Sequence, residues 1–181
     1  YAIAKIAGIK LCENYFKQYG DNFISIMPNN LYGPNDNFDL KTSHVLPALL
    51  RKIHEAKYNN KKYVEIWGTG KPMREFLHVD DLADAAIFIM DEIDAEAIYS
   101  QGISHINIGS GEELTINELA ENLKNIIGFD GKLKFNSNYE DGMTRKLLDI
   151  SRLKSIGWES TIKLKEGISS TYEWYKKSLN S

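Results

Sequence analysis

The most constraining feature of the sequence is a helical pattern that is followed at once by a short apolar run. Residues 1 to about 20 carry apolar side chains near helical spacing, and Tyr19-Gly20-Asp21 ends the pattern. The run 23–27 is apolar and predicts a buried strand. A helix that passes directly into a buried strand is half of an α/β crossover, so we expect an α/β fold.

The rest of the chain continues to alternate between helical and strand patterns. Further helices are predicted over 44 to about 58, from 80 onwards, over 115–128, near 151–156 and from about 164 to 179. Further strands are predicted over 64–67, 74–79, 105–108 and 132–135, and polar or Pro/Gly-containing loops over 28–34 and 137–148. Ser43 is the expected N-cap of the second helix, and Thr115 with Glu118 predicts a capping box.

Composition and charge exclude several functional classes. The net charge is -3 with no long basic block, which argues against a nucleic-acid surface. No apolar run approaches the roughly 20 residues of a membrane helix, so no membrane partner is expected. The single cysteine, Cys12, forms no internal disulfide, which suits a reducing, cytoplasmic compartment. Histidines, cysteines and carboxylates lack metal-ligand spacing, so no metal site is expected.

Tyr1 and Lys5 are the first candidate for chemistry. Four residues apart on a helix, they lie one turn from each other on the same face. An ammonium beside a phenol favours the phenolate and lowers the pKa of the tyrosine, which can then exchange a proton with a carbonyl or alcohol. The structural alternative is an amphipathic helix with a snorkelling lysine. Cys12, about 16 Å along the same helix, is expected to pack in the interior.

Several other residues are candidates for ligand binding. An anion clamp is predicted among the cations Arg74, Lys52, Arg51, Arg145 and Lys146. Arg74 is favoured, because it lies in a turn flanked by Gly and Pro; its structural alternative is a salt bridge with Glu75 or Asp80. Trp67, at a strand end, is either a stacking surface or part of the core. His44 is either an acid/base group or a surface histidine at a helix start, whereas His54, His78 and His105 are expected to be structural. Gly109-Ser110-Gly111 lacks the further residues of a phosphate-binding loop.

Longer motifs carry a family resemblance. The stretches 1–5, 30–34 and 74–81 resemble the extended short-chain dehydrogenase/reductases that act on nucleotide sugars. The stretches 27–38 (Met-Pro-Asn-Asn-Leu-Tyr-Gly-Pro-Asn-Asp-Asn-Phe), 43–50 (Ser-His-Val-Leu-Pro-Ala-Leu-Leu) and 67–74 (Trp-Gly-Thr-Gly-Lys-Pro-Met-Arg) are more specific. They are similar to the family's GDP-4-keto-6-deoxy-D-mannose 3,5-epimerase-4-reductases, and the resemblance covers essentially the whole chain.

The resemblance implies a role for each matching residue. Tyr1 would protonate the C4 oxygen as hydride arrives from NADPH, and Lys5 would lower its pKa and bind the nicotinamide ribose. His44 would be the acid/base group of two epimerisations, and it also lies near the cofactor. The implied cofactor is NADP(H), contacted by Tyr1, Lys5, His44, Pro28, Asn29, Asn30 and Leu31. The implied substrate is a GDP-sugar, contacted by Asn30, Lys52, Trp67, Arg74, Asp141 and Lys146. Lys52 replaces the arginine that is usual in the family, which implies a weaker grip on the pyrophosphate.

The resemblance also predicts how the chain is organised. The family's Gly-rich phosphate turn, catalytic serine and epimerisation cysteine are absent here, so we expect the C-terminal half or so of a longer enzyme, inactive alone. Residues 1–33 and about 80–109 would complete a Rossmann-type domain, and about 34–79 with 110–181 would form a small α/β substrate-binding domain. The helix over 1–20 matches the one that forms homodimers in the family.

Two alternatives remain at this stage. One is another enzyme of the superfamily, such as a UDP-sugar 4-epimerase or a GDP-mannose 4,6-dehydratase, which would share Tyr1 and Lys5 without needing His44. The other is a non-catalytic module for nucleotide-sugar binding or dimerisation.

Overall fold

The computed structural model describes residues 1–179, and these form an α/β fold, as predicted. The helices are α1 (Ala2–Tyr19), α2 (Val45–Tyr58), α3 (Val79–Glu92), α4 (Ala95–Tyr99), α5 (Ile116–Ile127), α6 (Ser151–Ser155) and α7 (Leu164–Ser178). The strands are β1 (Ile26–Pro28), β2 (Asn30–Tyr32), β3 (Tyr63–Trp67), β4 (Met73–His78), β5 (Ile106–Ile108), β6 (Glu113–Thr115), β7 (Lys132–Asn136) and β8 (Arg145–Lys146).

The strands form three small sheets in which most neighbours are parallel. β1 pairs with β5, and β3 pairs with β7, with Trp67 opposite Asn136. In the third sheet β4 is central, with β2 and β8 parallel to it and β6 antiparallel. β1 and β2 are separated by Asn29 alone, so the chain passes there from one sheet to another.

The core has two parts. The larger cluster lies between α2, α5, α7 and the strands β3 and β4, and includes Leu50, Ile53, Ile66, Phe76, Leu119, Leu123 and Ile168. The smaller cluster lies around β5, α3 and α6, and includes Leu77, Ala85, Ile89, Ile106, Ile108, Leu153 and Trp158. β4 contributes to both clusters through Phe76 and Leu77, because neighbouring strand residues face opposite sides.

The predicted helix ends are largely confirmed. Gly20 and Gly128 adopt the left-handed conformation that ends α1 and α5. Thr115 and Glu118 form the capping box of α5, and the two acids Asp80 and Asp81 lie in the first turn of α3, where they suit the helix dipole. Ser43 is not the N-cap of α2: that position is His44, and the helix begins at Val45.

Other predictions are wrong because short strands carry little pattern. β1 begins at Ile26 rather than at residue 23. It was predicted to be buried but is partly exposed, because among the described strands it pairs with β5 alone. The loops predicted over 28–34 and 137–148 contain β2 and β8. The short elements α4 and β6 were not predicted. β4 does not alternate: its last four residues, from Glu75 to His78, are all buried.

The helix α1 is attached by its second half. Phe16 packs on Tyr99 at a ring-centroid distance of 5.2 Å, and Tyr15 packs on Phe23 at 5.8 Å. No residue of α1 is buried, and apolar side chains such as Ile3 and Ile6 are largely exposed. Cys12 is therefore only half-buried, against the prediction of an interior position. Over residues 1–179, no helix combines the length and apolarity that crossing a bilayer requires.

Candidate active site

The polar candidates gather where parallel strands end. β3 and β7 end side by side at Trp67 and Asn136, so the segments that follow them, 68–72 and 137–144, lie together. β1 and β5 end at Pro28 and Ile108, which brings Asn29 next to the glycine-containing turn at Gly109. Ligands of open α/β sheets bind beyond such carboxyl ends. The two edges are joined by β4, which pairs with both β2 and β8.

Trp67 is a surface residue and not part of the core. Its side chain is 55% exposed, although it ends a strand. The Lys52 ammonium on α2 lies 4.5 Å from the centroid of its ring, which is the geometry of a cation–π contact. Partial burial lowers the pKa of Lys52, and the nearby Glu65 carboxylate opposes that shift. The pair therefore presents a flat aromatic surface beside a positive charge.

Asp141 links the segments that follow β3 and β7. Its Oδ1 accepts a hydrogen bond from the Thr69 backbone N–H at 2.8 Å, and its Oδ2 accepts one from the Thr69 hydroxyl at 2.5 Å. Both hydrogen bonds lower the pKa of Asp141, and the bond from the Thr69 hydroxyl has the larger effect. Gly68 precedes Thr69 with φ of 83°, and a side chain there would start where the Asp141 carboxylate lies. Glycine thus satisfies both the backbone angle and the close approach.

Arg74 lies on β4, in agreement with the strand predicted over 74–79, and not in the Gly/Pro-flanked turn for which it was favoured. Its Nη1 donates to the carbonyl oxygens of Met73 at 2.7 Å and Met143 at 2.6 Å. It forms no salt bridge with Glu75 or Asp80 within residues 1–179, and its charge contributes to the lowered pKa of Asp141. Its register partner on β8 is Lys146, which places two cations on adjacent strands.

Lys146 and Asn30 connect this edge to the end of β1. The Lys146 ammonium lies 3.4 Å from the Asn30 side-chain oxygen, and the Asn30 side-chain amide donates to the Glu75 carbonyl oxygen at 2.7 Å. Asn30 pairs with Phe76 in the register of β2 with β4. Asn30 is therefore held by β4 with its amide oxygen turned toward a cation.

Glu75 is a buried hub that sequence reasoning missed. It has no exposed surface, and its carboxylate accepts hydrogen bonds from the Asn29 side-chain amide, from the Gly111 N–H at 2.6 Å and from the Leu148 N–H at 3.2 Å. Gly109 packs so closely on the carboxylate that no side chain fits there. The Gly109-Ser110-Gly111 turn thus wraps a carboxylate, in agreement with its exclusion as a phosphate loop. The sequence did carry one indication of a buried carboxylate at this position: Glu75 is followed directly by the apolar residues Phe76 and Leu77.

Tyr1 and Lys5 have the predicted mutual geometry. The Lys5 backbone N–H donates to the Tyr1 carbonyl oxygen at 3.2 Å, and the Lys5 ammonium lies 5.2 Å from the centroid of the Tyr1 ring. Tyr1 is 97% exposed. No hydrogen bond within residues 1–179 involves the Tyr1 hydroxyl or the Lys5 ammonium, so both polar groups are available to a ligand.

His44 is exposed at the N-cap of α2. The half-buried Asp36 interacts with it electrostatically. Burial raises the pKa of Asp36, and the hydrogen bond from the Asn37 N–H and the nearby His44 partly offset that effect. One oxygen of Asp36 and the Ser43 hydroxyl are buried without a hydrogen-bond partner among the described residues. The start of α2 is therefore a polar corner with unused hydrogen-bonding capacity.

Two of the five clamp candidates are engaged elsewhere. Arg51 binds Glu55 at 2.7 Å and the Phe38 carbonyl oxygen at 3.1 Å, and Arg145 binds Glu113 through two nitrogens.

The three other histidines have structural contacts, as predicted. Their partners are Tyr172 for His54, the N–H of Asp80 for His78 and Ser104 for His105. In the part of the chain that the structure describes, no group of three or more potential ligands is arranged to hold a metal ion.

The candidate residues thus form one cluster and two separate sites. We call the following set the cation–aromatic cluster: Asn30, Lys52, Trp67, Arg74, Asp141 and Lys146. The first separate site is the pair Tyr1 and Lys5 at the start of α1, and the second is His44 at the start of α2. Over residues 1–179, neither site makes a hydrogen bond or ion pair with the cluster or with the other site. Pro28 and Leu31 flank Asn29 and Asn30 at the crossing between β1 and β2.

Comparison with known proteins places this geometry in context. Residues 1–109 match the model of the NAD dependent epimerase/dehydratase family. The chain is 56% identical over 179 residues to GDP-L-fucose synthase 1 of Arabidopsis thaliana, covering 99% of this chain and 53% of the relative. It is 52% identical over 179 residues to GDP-L-fucose synthase of Escherichia coli (strain K12), covering 97% of this chain and 55% of the relative. The chain spans about half the length of these curated relatives.

A solved structure gives the same picture. GDP-mannoheptose C4 reductase from Campylobacter jejuni, with NADP bound, superposes with a TM-score of 0.83 at 47% identity. The match covers 96% of this chain and 59% of that one. Both the sequence relatives and this structure are therefore similar to nearly all of the chain.

Proposed function

The chain belongs to the NAD dependent epimerase/dehydratase family, and from that premise we propose that it is part of an enzyme that makes GDP-L-fucose. The reaction is 3,5-epimerisation of GDP-4-keto-6-deoxy-D-mannose followed by NADPH-dependent reduction at C4. The observation that carries the proposal is the cation–aromatic cluster, which joins stacking, cationic and amide groups along one edge. The names and identities of the plant and bacterial relatives support the same substrate.

The cluster suits the GDP part of the substrate. Trp67 offers a surface ring for a base, with Lys52 and Tyr139 against it, and the cations Lys52, Arg74 and Lys146 suit a diphosphate. Arg74 spends only Nη1 on the backbone carbonyls, so within residues 1–179 its Nε and Nη2 remain for a two-pronged contact with phosphate oxygens. Asp141 orders the loop around these groups through Thr69. Asn30, which is bonded to Lys146, is assigned to the sugar that follows the diphosphate.

Reduction at C4 is assigned to Tyr1 and Lys5. Tyr1 donates its phenolic proton to the C4 oxygen, and the positive charge of Lys5 stabilises the phenolate that remains. NADPH, when bound, supplies the hydride that reaches C4. The new C–H bond and the new O–H bond together convert the ketone to an alcohol, so hydride and proton balance.

The residues around Tyr1 fit such a cofactor. The hydroxyl of Tyr1 and the ammonium of Lys5 are exposed and unbonded among the described residues, as binding of ribose hydroxyls requires. Segment 28–31, with Pro28 and Leu31 around the two asparagines, lies at the carboxyl end of β1, where cofactors of α/β folds bind. We propose that this segment and His44 line the nicotinamide end.

Epimerisation is assigned to His44. A 4-keto group acidifies the C–H bonds at C3 and C5, so a base can remove each proton to form an enolate, and an acid returns it on the other face. An imidazole side chain can both accept a proton and return one. The polar corner formed with Asp36 supports this assignment.

A second candidate function is C4 reduction without epimerisation. The likeness to the Campylobacter jejuni GDP-mannoheptose C4 reductase supports it, because that protein is named for the reduction alone. It would use Tyr1 and Lys5 in the same way and leave His44 without a catalytic role.

We also propose a domain division, a homodimer and a cytoplasmic location. The division follows 1–33 with about 80–109 for the cofactor domain, and about 34–79 with 110–181 for the substrate domain. The two core clusters support it in the main: Leu77, Leu153 and Trp158 of the second part pack in the smaller cluster, and Tyr32 of the first part packs in the larger one. Exposed apolar side chains on α1, among them Ile3 and Ile6, support a homodimer. The single cysteine supports a reducing compartment.

The test is a turnover assay on the full-length protein that carries this chain. NADPH absorbance is followed with GDP-4-keto-6-deoxy-mannose for the wild type, for Tyr1→Phe and for the control Tyr19→Phe, which alters an exposed tyrosine at the other end of α1. We expect Tyr1→Phe to lower kcat by about 10²–10⁴-fold and Tyr19→Phe to leave it unchanged. Unchanged turnover by Tyr1→Phe would overturn the role of Tyr1.

A further inference from the structure

Tyr139 has an unexpected position. It was predicted to lie in a polar loop, yet its ring stacks on Trp67 with a centroid distance of 4.5 Å and an interplanar angle of 15°. Both rings are at the surface, with Tyr139 44% exposed and Trp67 55% exposed. An exposed, nearly parallel pair of aromatic rings at the edge of a sheet is a flat surface suited to planar ligands.

The backbone of Tyr139 is held on both sides. Its N–H donates to the Asn136 carbonyl oxygen at 3.3 Å, and Asn136 is the register partner of Trp67. Two residues later, Asp141 is bonded to Thr69. The loop therefore fixes the Cα of Tyr139 next to Trp67, whatever the orientation of its ring.

The ring of Tyr139, in contrast, makes no hydrogen bond among the described residues, and its stack on Trp67 is its one aromatic contact there. Its hydroxyl has no hydrogen-bond partner in residues 1–179, and nearly half of the side chain faces solvent. The ring can therefore rotate away from Trp67 without breaking a hydrogen bond or moving the loop. A fixed backbone and a surface ring without hydrogen bonds suit a residue that closes on a ligand entering beside Trp67.

We propose that Tyr139 is a specificity-determining residue of the nucleotide site, and that the purine base binds between the rings of Tyr139 and Trp67. The inference rests on the proposed function, which assigns the GDP portion of the substrate to Trp67. Entry of the base replaces one ring–ring contact by two ring–base contacts, so stacking is gained and not merely exchanged. A purine overlaps two aromatic rings more fully than a pyrimidine does, and the pair thereby favours GDP over UDP.

Calorimetric titration of the full-length protein with GDP and with UDP tests this inference. Tyr139→Ala removes the ring, Tyr139→Leu keeps apolar bulk without a π-face, and Tyr139→Phe keeps the ring without the hydroxyl. The matched control is Glu140→Ala, which changes the next exposed residue of the same loop. Thermal melting of each variant verifies that the fold is intact.

We expect the Ala and Leu variants to weaken GDP binding by about ten-fold, to weaken UDP binding less, and so to reduce the preference for GDP. Tyr139→Phe and Glu140→Ala should bind GDP as the wild type does. The inference would be overturned if Tyr139→Leu bound GDP as strongly as the wild type does, or if Tyr139→Ala bound GDP more tightly. In that case, a loss of GDP binding by Trp67→Ala would still support the proposed function. Absence of GDP binding by the wild type would overturn both.

Discussion

Arg74 on β4 and Lys146 on β8 are register partners in a parallel ladder. The two cations therefore lie on adjacent strands, and each also contacts a further segment. Arg74 contacts the Met143 carbonyl oxygen in the loop before β8, and Lys146 contacts the Asn30 side chain on β2. Like charges on neighbouring strands are unfavourable in an empty protein. Their juxtaposition is understandable where an anion binds between them, which is why we assign the diphosphate of the substrate to this pair.

The first prediction concerns the shape of the Arg74 side chain. Arg74→Lys keeps the charge but removes the planar fork, which both contacts Met143 and remains free for phosphate oxygens. We expect GDP affinity of the full-length protein to fall by about ten-fold, the equivalent of one charge-assisted hydrogen bond. Calorimetric titration measures it. Arg152→Lys, at an exposed position on α6, is the control; an equal affinity of Arg74→Lys and wild type would contradict the clamp.

The second prediction concerns the acidity of Asp141. The two hydrogen bonds from Thr69 hold its pKa below the ordinary value of 3.8. Because the pKa is lowered in the folded protein, the stabilisation is complete above the ordinary value and is lost as the pH falls through the lowered one. Thr69→Val removes the hydroxyl, which is the largest cause, so the pKa of Asp141 should rise toward 3.8.

Carboxyl resonances followed by NMR against pH measure this shift. Asp149 is an internal control, because its pKa is lowered by bonds from Ser151 and not from Thr69. An Asp141 titration that does not move in Thr69→Val, or a shift of the same size at Asp149, would refute the assignment of the effect to Thr69.

The third prediction concerns the buried carboxylate of Glu75. Among the described residues, the Glu75 carboxylate accepts hydrogen bonds from three donors: the side-chain amide of Asn29 and the backbone N–H groups of Gly111 and Leu148. In Glu75→Gln the side-chain NH₂ must face at least one of them, whichever way the amide is turned. We expect a loss of about 1–3 kcal/mol in the free energy of unfolding, the cost of leaving a buried donor unsatisfied.

Urea unfolding of the full-length protein measures this cost. The matched control is Glu112→Gln, since the Glu112 side chain is exposed and, among the described residues, is bonded only to Lys163 at 3.3 Å. That variant should change the free energy of unfolding by no more than about 0.5 kcal/mol. Equal stabilities of the two variants would show that Glu75 is not the hub that its contacts indicate.

The fourth prediction separates epimerisation from reduction. His44→Gln removes the acid/base group and retains hydrogen-bonding capacity at the N-cap of α2. Exchange of the C3 and C5 protons with D₂O should be lost, while NADPH-dependent reduction at C4 should continue. His105→Gln, directly before β5 and bonded to Ser104, is the control. Normal exchange in His44→Gln would favour the second candidate function, C4 reduction alone.

Strong local patterns made much of the fold predictable. The apolar periodicity of α2 and α5, the capping box of Thr115 and Glu118, and the stop at Gly128 each act within one element, so a single sequence is sufficient. β2 and β8 could not be predicted, because two or three residues show no period and their conformation follows from pairing with β4.

The site was predictable where a side chain acts through its own local pattern. Tyr1 and Lys5 meet because a helix brings residues four apart together. Glu75 was missed, because its burial depends on donors from three distant segments that only the fold assembles. Tyr139 was missed for a related reason: its contact with Trp67 follows from the parallel pairing of β3 with β7, which the sequence does not display.

The most direct test of the proposed function is the identity of the sugar product. The full-length wild-type protein is incubated with NADPH and GDP-4-keto-6-deoxy-mannose, and the product is identified by NMR. We predict GDP-L-fucose, formed with stoichiometric consumption of NADPH. An unepimerised 6-deoxy sugar would retain the roles of Tyr1 and Lys5 and remove that of His44. No turnover would contradict the proposed function as a whole.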